Sequence, residues 1–558
     1  MTSFGFTAHL APGEVLHLWQ KPLVKGAGSR VSVGDAVLQG PPSDDYQMQS
    51  HIAAGGETHV TWGADTAVSV AYAFDPAHPE IRLLHAAAKT QANDHRFRLH
   101  LAPPFGWMND PNGLIERQGQ THLFYQHYPH AHRWDTMHWG HAVSPNLVDW
   151  SHRPVFLHPR AEMLANDAKK GGAFSGTAIA TPEGLRVFHT DREDGRLPEQ
   201  EWQMTATSTD LLTASPSTPV IDTRPALPGF GRDLRDPFVF KGPDGLWKML
   251  LGGADETSAL VLLYQTTDPD AATGWHYAGI LHREPLDRAV PAECPCLIAL
   301  DGQGEGLWAL VFGLVGHQTP VRGKLNPSVA AVGRFDGQVF TELARRELDF
   351  IGDCYAFQSF HWQDRPVGIA WAANWAYVLR THDFPSCMTF ARRLVWQDGA
   401  LLLPLVETVQ TLRQTQLTTS VDALRDGIPL PDGLAELTVD FAGADSFSLT
   451  LGHPDNPLQL TFENGVLELT GKWARPGVRG LRHMVETASP TSLTLHIDVG
   501  LIELSVDGGR LSGTKRIDTD LPFTTLSLKA ADGGVANASL WQLRAAAQNQ
   551  KESSHGHR

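Results

Sequence analysis

Short runs of alternating apolar and polar residues, separated by Gly, Pro, Asn and Asp, extend along almost the whole chain. Such runs are typical of β-strands joined by tight turns. No long amphipathic helix pattern interrupts them, and no apolar run is long enough to cross a membrane. Because 558 residues exceed what one ordinary hydrophobic core accommodates, we expect an all-β protein of two or three domains.

Changes in this pattern divide the chain into segments. Residues 1–95 predict a small N-terminal β domain, and residues 96–405 predict a sandwich, a barrel or a propeller. Residues 406–416 predict a short helical or extended linker. Residues 417–546 alternate more regularly, with hairpin signals between the runs, which predicts a β-sandwich. The polar tail at 547–558 is expected to be disordered.

The net charge of −16 disfavours nucleic acid or an acidic membrane surface as a partner and favours a neutral or small ligand. The four cysteines form neither a disulfide framework nor a zinc-ribbon spacing. With no secretory signal pattern at the N-terminus, they predict a cytoplasmic protein with reduced thiols. A secreted protein without its signal would show the same pattern. No Gly-rich phosphate loop occurs, and we expect no cofactor.

One stretch, Trp107-Met108-Asn109-Asp110-Pro111-Asn112-Gly113, places a carboxylate between residues that favour tight turns. Pro111 fixes its own φ and biases Asp110 away from the α region, and Gly113 allows a backbone conformation closed to other residues. Apolar flanking residues suggest a strand that bends sharply at the wall of a pocket. The carboxylate of Asp110 is a candidate nucleophile, and an ordinary Asx-type turn is the alternative.

Two further acids lie in similar surroundings. Asp236 directly precedes Pro237, and Glu293 lies two residues before Pro295. Both have apolar neighbours, so both are candidates for buried or half-buried acids. Taken singly, the ordinary alternatives are an ion pair of Asp236 with Arg235 in a turn and a solvated Glu293 at a strand end.

Together these motifs resemble those of glycoside hydrolase family 32, the β-fructofuranosidases, which include invertases, inulinases and levanases. The stretch 107–113 resembles the nucleophile motif, Arg235-Asp236-Pro237 the motif of the transition-state stabiliser, and Glu293-Cys294-Pro295 the acid/base motif. Other segments similar to family motifs are Phe124-Tyr125-Gln126, Trp134–Ala142, Phe174-Ser175-Gly176, Asp353–Ala356 and Trp371–Trp375. The resemblance covers roughly residues 96–545.

The resemblance implies a five-bladed β-propeller catalytic domain followed by a β-sandwich, with the small N-terminal β domain as an addition. It implies a retaining glycoside hydrolase that cleaves terminal β-D-fructofuranosyl bonds in sucrose and fructo-oligosaccharides through a covalent fructosyl-enzyme. Asp110 would be the nucleophile and Glu293 the general acid/base. Asp236 would stabilise the transition state, with Arg235 fixing its position.

The predicted fructosyl subsite combines polar groups for hydroxyls with flat aromatic walls. Its residues are Asn109, Gln126, Trp134, Phe174, Ser175, Arg235, Tyr355 and Trp375. Core packing is the alternative for Phe174 and Trp375. The five histidines between His127 and His141 have no carboxylate or Cys partner at a recognised zinc spacing. We therefore expect no metal site and place these histidines in loops around the sugar cleft.

Two other functions stay open at this stage. A fructosyltransferase would form the same covalent intermediate and pass the fructosyl unit to a sugar instead of water. A non-catalytic sugar-binding propeller is the weaker alternative, because a lectin has no need of a nucleophile and an acid together. In each case the partner is a small-molecule sugar: sucrose, a fructo-oligosaccharide or a fructan. A homo-oligomer, formed through the N-terminal domain, is a further hypothesis.

Overall fold

Nearly all regular structure in the protein is β, which confirms the all-β prediction. The computed structural model describes residues 3–88, 97–270, 274–304, 306–318, 325–378, 386–453, 457–471, 481–517, 521–531 and 533–549. Across these ranges, no helix combines the length and the apolar character that a membrane span requires.

The first eight strands form two four-stranded sheets that pack face to face. The strands are β1 (Ser3–Leu10), β2 (Val15–Pro22), β3 (Ser29–Val33), β4 (Ala36–Gly40), β5 (Gln47–Ile52), β6 (Gly56–Gly63), β7 (Thr66–Asp75) and β8 (His78–Ala86). Their order is β1-β6-β3-β4 in one sheet and β5-β2-β7-β8 in the other. Alternate apolar residues, such as Leu16, Leu18 and Val31, meet in a shared core. The N-terminal segment therefore has the β structure that the alternation predicts.

The next strands form five consecutive sheets. The first sheet contains β9 (Trp107–Arg117), β10 (Gln120–Tyr128), β11 (His138–Ser144) and β12 (Trp150–Leu157). After the short helix α1 (Ala161–Leu164) and a 3-10 turn (Asp167–Lys169), the second sheet contains β13 (Gly171–Ala180), β14 (Leu185–Glu193), β15 (Glu201–Ser208) and β16 (Thr218–Ile221). The third sheet contains β17 (Leu234–Lys241), β18 (Trp247–Ala254), β19 (Ser258–Thr266) and β20 (His276–Pro285). The following segment contains β21 (Ala292–Ala299), β22 (Asp301–Gly302), β23 (Trp308–Leu314), β24 (Ser328–Phe335) and β25 (Phe340–Glu347), and then come β26 (Tyr355–Trp362), β27 (Arg365–Trp371), β28 (Arg392–Arg393), β29 (Val395–Gln397) and β30 (Ala400–Leu402). The fourth sheet is β21-β23-β24-β25 and the fifth is β26-β27-β28, while β22, β29 and β30 form a small separate sheet.

The first strands of the five sheets close into a ring. Each of β9, β13, β17 and β21 lies beside the first strand of the next sheet, and β26 lies beside β9. This arrangement is that of a β-propeller. The first strands therefore converge on one axis, where side chains from all five sheets can meet.

Two six-stranded sheets follow the ring and face each other. Their strands are β31 (Arg413–Thr418), β32 (Ile428–Pro429), β33 (Ala435–Phe441), β34 (Ser446–Gly452), β35 (Leu458–Glu463), β36 (Val466–Gly471), β37 (Leu481–Glu486), β38 (Ser492–Asp498), β39 (Leu501–Val506), β40 (Leu511–Arg516), β41 (Thr525–Ala530) and β42 (Val535–Leu543), with the helix α2 (Val421–Asp426), the 3-10 helix Glu407–Leu412 before them and the 3-10 turn Asp507–Gly509 between β39 and β40. Alternate residues such as Leu458, Leu460 and Phe462 fill the core between the sheets. This is the predicted β-sandwich.

The structure differs from the predicted linker and tail at their edges. Strand β31 begins at Arg413, inside the predicted linker 406–416, and pairs with β42 of the sandwich. A last strand, β43 (Gln548–Asn549), lies within the predicted tail and pairs in parallel with Trp150 and Ser151 of the first propeller sheet. The side chain of Gln548 also donates to the backbone oxygen of His100 at 2.6 Å. These bonds attach this part of the chain to the propeller.

Candidate active site

The innermost strand of every propeller sheet carries a β-bulge near its start. In each bulge, two residues of the inner strand lie opposite one residue of the next strand. The paired residues are Asn109-Asp110, Phe174-Ser175, Asp236-Pro237, Cys294-Pro295 and Ala356-Phe357. Because a bulge re-aims side chains, five consecutive bulges can direct polar groups towards the axis of the ring.

The local sequence accounts for several of these bulges. Asp236, Cys294 and Ala356 have positive φ values of 63°, 49° and 54°, a conformation that regular strands do not contain. Pro237 and Pro295 have no N–H to donate to the sheet, which favours an interruption of the pairing at these positions. The turn-like motifs of the sequence are therefore strand interruptions at the axis of the propeller.

The bulges surround a cavity of about 350 Å³. Its lining consists of Asn109, Asp110, Gln126, Trp134, Phe174, Ser175, Arg235, Asp236, Glu293, Val315, Trp375 and Val378. The cavity therefore brings together all three predicted catalytic acids and every predicted subsite residue except Tyr355. Polar residues such as Asn109, Gln126 and Ser175 are buried, whereas the aromatic residues are half-buried and form the rim.

Two hydrogen bonds fix the carboxylate of Asp110. Ser175 Oγ donates to Oδ2 at 2.6 Å, and Asn109 Nδ2 donates to Oδ1 at 3.0 Å. Asn109 is itself held by Trp107, whose Nε1 donates to Asn109 Oδ1 at 2.6 Å. Burial raises the pKa of Asp110 and the charge of Glu293 adds to this effect, whereas the donors Ser175 and Asn109 oppose it. Asp110 is thus a carboxyl group whose orientation is fixed by neighbouring donors.

Asp236 lies on the bulge of β17 with two backbone-linked contacts. Its own N–H donates to Thr190 Oγ1 at 2.9 Å, and its Oδ2 accepts from the N–H of Cys294 at 2.8 Å. Burial raises the pKa of Asp236 to about 8. The positive charge of Arg235 opposes this effect, whereas the negative charges of Glu293 and Asp110 add to it. The backbone of the neighbouring bulge thus holds the carboxyl group of Asp236 in place.

Two donors hold Glu293 at the edge of the cavity. Arg235 Nη2 donates to Oε1 at 2.8 Å, and the hydroxyl of Tyr355 donates to Oε2 at 2.8 Å. Tyr355 is buried and lies behind Glu293. The structure therefore brings Tyr355 to the site as a residue that positions the predicted acid/base, whereas the sequence places it among the sugar contacts.

The contacts of Arg235 differ from the prediction. Within the described part of the chain its guanidinium pairs with Glu293, with Glu201 at 3.2 Å and with Asp233. The ion pairs of Arg235 are thus directed towards Glu293 on the next sheet, and Arg235 acts on Asp236 through its charge, which lowers the pKa of that carboxyl group. Arg235 lines the cavity and orients Glu293.

Half-buried aromatic rings form the rim of the cavity. Trp375 stacks on Trp107 with ring centroids 6.0 Å apart, and Trp134 contacts Phe174 edge to face, also at 6.0 Å. Phe174 and Trp375 line the cavity and also pack against the buried cluster that contains Trp107. Such surfaces suit the apolar faces of sugar rings.

The five histidines between 127 and 141 are divided between strands and a loop. His127, His138 and His141 lie buried in β10 and β11, so the prediction of loop histidines is wrong for these three. His130 and His132 lie in the loop that connects the two strands, as predicted. Burial lowers the pKa of His127 to about 4, and its Nδ1 donates to the backbone oxygen of Trp107 at 2.7 Å. Among the described residues, no group of three or more metal-ligating side chains is arranged to hold an ion.

Sequence reasoning missed four residues of the site. Val315 and Val378 line the cavity, and an isolated valine carries no motif that marks it. Thr190 holds the backbone of Asp236. Cys294 places its thiol 3.5 Å from Asp110 Oδ2 and 3.6 Å from the Oδ2 of Asp236. The position of Cys294 between Glu293 and a proline was a usable signal, because residues at a bulge face the axis.

Comparison with known proteins agrees with this geometry. Residues 100–404 match the model of the glycosyl hydrolases family 32 N-terminal domain. Sucrose-6-phosphate hydrolase of Escherichia coli is 29% identical over 486 residues, which cover 82% of this chain and 99% of that protein. Raffinose invertase of Escherichia coli is 31% identical over 470 residues, covering 80% and 94%. A solved glycoside hydrolase family 32 structure from Bifidobacterium adolescentis has a TM-score of 0.85 at 22% identity, over 98% of this chain and 100% of that one.

The match to the family model extends over the whole ring of sheets and includes Asp110, Asp236 and Glu293. The structural likeness supports the predicted succession of a propeller and a β-sandwich. The relative with 31% identity is covered almost completely by this chain. As its motifs predict, the chain belongs to glycoside hydrolase family 32.

Proposed function

We propose that the protein is a retaining β-fructofuranosidase that hydrolyses terminal β-D-fructofuranosyl bonds in sucrose and fructo-oligosaccharides. The observation that carries this proposal is the convergence of Asp110, Asp236 and Glu293 in one cavity, each with its carboxyl group oriented by donors. Family membership supports it, as do the names of two relatives, a sucrose-6-phosphate hydrolase and a raffinose invertase.

The chemistry follows the two-step scheme of retaining glycosidases. In the first step Asp110 attacks the anomeric carbon, and the bond to the leaving oxygen breaks as Glu293 gives that oxygen its proton. In the second step Glu293 takes a proton from water, the water oxygen bonds to the anomeric carbon, and the bond to Asp110 breaks. Asp236 forms no covalent bond and binds fructose hydroxyls more strongly as positive charge develops on the ring.

The shape of the cavity supports cleavage of terminal units. Its volume of about 350 Å³ lies at the lower end of the range for ligand pockets, roughly 300–1,000 Å³. The buried groups of Asn109, Gln126 and Ser175 suit the hydroxyls of one fructosyl unit. The rim residues Trp134 and Trp375 then meet the leaving group. A single sugar unit with polar contacts below and an aromatic rim above matches exo-acting hydrolysis.

The test is product analysis on concentrated sucrose, with free glucose and free fructose followed together. Equal release of the two sugars means that water is the acceptor, which supports the proposal. Glucose in excess, with new oligosaccharides, would favour the fructosyltransferase alternative instead. No release from sucrose, sucrose 6-phosphate or inulin-type oligosaccharides would contradict both activities and favour a sugar-binding propeller.

The remaining expectations from the sequence stay predictions. They concern the cytoplasmic location, the homo-oligomer, and the absence of a nucleic-acid partner, a cofactor and a catalytic metal. The division into domains at 95 and 405 is likewise our proposal, and the first of these boundaries lies outside the described residues. Limited proteolysis of the full chain would test it.

A further inference from the structure

The segment that carries Trp134 to the rim of the cavity is irregular. It comprises residues 129–137, which connect β10 to β11, and we call it the rim segment. The acids below are held on strands of the propeller, whereas Trp134 depends on contacts of the rim segment with its surroundings. The position of Trp134 is therefore set by whatever packs against residues 129–137.

The N-terminal domain packs against the start of the rim segment. The hydroxyl of Tyr128, at the end of β10, donates to Asp45 Oδ1 at 3.2 Å in a buried contact. The ring of Tyr46 lies on the ring of His130, with centroids 4.4 Å apart. Ser69 Oγ is 2.7 Å from His130 Nδ1. The loop 43–46 and strand β7 of the N-terminal domain thus contact Tyr128 and His130, at the start of the rim segment.

The loop 43–46 of the N-terminal domain also binds the end of helix α1. Asp45 N–H and Ser43 Oγ both donate to the backbone oxygen of Leu164, at 2.9 and 2.7 Å. The chain that follows Leu164 supplies Lys170, whose Nζ lies 3.0 Å from Asp135 Oδ1 in the rim segment. Residues 43–46 therefore bind the end of β10 and the end of α1, and the chain next to each of these elements contacts the rim segment, before and after Trp134 respectively.

We infer that the N-terminal domain is a specificity element of the active site, whose loop 43–46 fixes the rim segment so that Trp134 contacts the leaving group of the fructoside. This inference rests on the proposed function. An aromatic surface adds binding free energy only to the extent that it is held in place before the substrate arrives. Loosening the loop should therefore weaken contacts at the rim and leave the fructosyl subsite intact.

The test compares two substrates that share the fructosyl unit. Sucrose has a glucosyl leaving group that reaches the rim, whereas methyl β-D-fructofuranoside releases only methanol. Asp45→Ala and Tyr128→Phe each remove the same buried hydrogen bond, and the second keeps the aromatic ring. We expect kcat/KM for sucrose to fall about fivefold, mainly through KM, with less than about a twofold change for the methyl fructoside.

The matched control is Arg82→Gln, which breaks the 2.9 Å ion pair with Glu14 inside the N-terminal domain. It should leave the ratio of the two kcat/KM values unchanged. Hydrogen exchange of residues 129–137 should increase in Asp45→Ala and Tyr128→Phe and stay constant in the control.

Equal losses on both substrates, or a loss on neither, would overturn the inference even if hydrogen exchange increased. The proposed function fails in a different way, namely if the wild-type protein releases fructose from neither substrate. The wild-type rates therefore test the proposed function, and the ratio of the variants tests the inference.

Discussion

Acidic groups dominate the buried charges at the cavity, whereas positive and negative charges are balanced where the propeller meets the sandwich. In the cavity Asp110, Asp236 and Glu293 lie together, and Arg235 is the cation beside them. Burial raises the pKa of Asp110 and of Asp236, the latter to about 8. Holding these groups away from water costs stability, as expected of a site built for chemistry.

At the interface of the propeller with the sandwich, His100 lies between two buried carboxylates. Its Nδ1 is 2.8 Å from Asp498 Oδ2, and its Nε2 is 3.0 Å from Glu503 Oε1. Arg392 forms an ion pair with Glu503, which also accepts the N–H of Phe390 at 2.7 Å. Burial opposes ionisation here too, but the oppositely charged partners outweigh it. Asp498 and Glu503 raise the pKa of His100 to about 9, and Arg392 and His100 lower that of Glu503 to about 2.

The comparison shows that burial alone does not decide how an ionisable group titrates. The carboxyl groups of Asp236 and Glu503 are both buried, yet their pKa values move in opposite directions. Paired groups of opposite charge fix one domain against another, whereas an excess of one charge leaves protons to be exchanged with a substrate. Substitutions in the two regions should therefore have opposite effects on activity and stability.

The largest expected effect is the loss of turnover in Asp110→Asn. Asparagine preserves the shape of the side chain and cannot form the covalent intermediate. We expect kcat/KM on sucrose to fall by at least about 10⁴-fold, as for other catalytic nucleophiles. The melting temperature should stay constant or rise, because one buried acid is removed. Initial rates of fructose release and a thermal scan check both statements, and activity within tenfold of the wild type would contradict the role of Asp110.

The next effect is the loss of stability in Glu503→Gln. This change leaves His100 and Arg392 buried with less compensating charge, and such losses typically cost about 3–5 kcal/mol of unfolding free energy. The decrease should appear in urea unfolding, while kcat of the folded enzyme stays near the wild-type value. A matched control is Glu407→Gln, since Glu407 pairs with Arg393 at 3.0 Å on the surface. Its cost should stay below about 1 kcal/mol, and equal costs in both variants would remove the distinction between buried and exposed pairs.

A smaller effect of opposite sign is expected for Asp236→Asn. The pKa of Asp236 is raised from 3.8 to about 8, so its contribution to stability is fully present below pH 3.8 and is lost as the pH rises through about 8. Asparagine has no such loss. The variant should therefore gain stability relative to the wild type as the pH rises from about 4 to about 8. Melting temperatures of both proteins across this range provide the measurement, and a difference independent of pH would refute the assignment.

The cavity acids could be predicted from the sequence only when their three motifs were taken together, because each acid alone has an ordinary alternative. Asp110 and Asp236 each precede a proline, and each lies in a bulge of its strand. The alternation of apolar and polar residues predicted the sandwich strands, because its physical cause lies within a few neighbouring residues.

The balanced network could not be predicted, since its members are distant in the chain. His100 and Asp498 are separated by 398 residues, and neither has an unusual local context. The same holds for Tyr128 and Asp45, whose contact joins the N-terminal domain to the cavity wall. The ion pair of Arg235 with Glu293 was missed for a related reason, because Glu293 lies on the next sheet. Such contacts follow from the closure of the ring and from domain packing.

The smallest expected effect concerns Glu201. This residue lies behind the acidic cavity and forms an ion pair with Arg235, as the charges at the interface with the sandwich do with their own partners. Its side chain is buried, with Oε1 3.2 Å from the guanidinium of Arg235 and Oε2 accepting the N–H of Leu234 at 2.7 Å. Glu201→Gln removes one negative charge that faces Arg235. Glu201 also pairs with Arg192 at 2.9 Å. Without its charge, the guanidinium of Arg235 loses one of the carboxylates that hold it in place, and Arg235 in turn orients Glu293 at 2.8 Å.

We therefore expect kcat/KM on sucrose to fall about two- to fivefold in Glu201→Gln, because Glu293 is less firmly oriented. The matched control is Glu193→Gln, since Glu193 lies in the same sheet as Glu201 and pairs with Lys169 at 3.3 Å and with Arg160, away from Arg235. Its kcat/KM should stay within about twofold of the wild-type value. If Glu201→Gln leaves kcat/KM equally unchanged, Glu201 has no part in orienting the site. The charges around the cavity would then be independent of the partners behind them, in contrast to those at the interface with the sandwich.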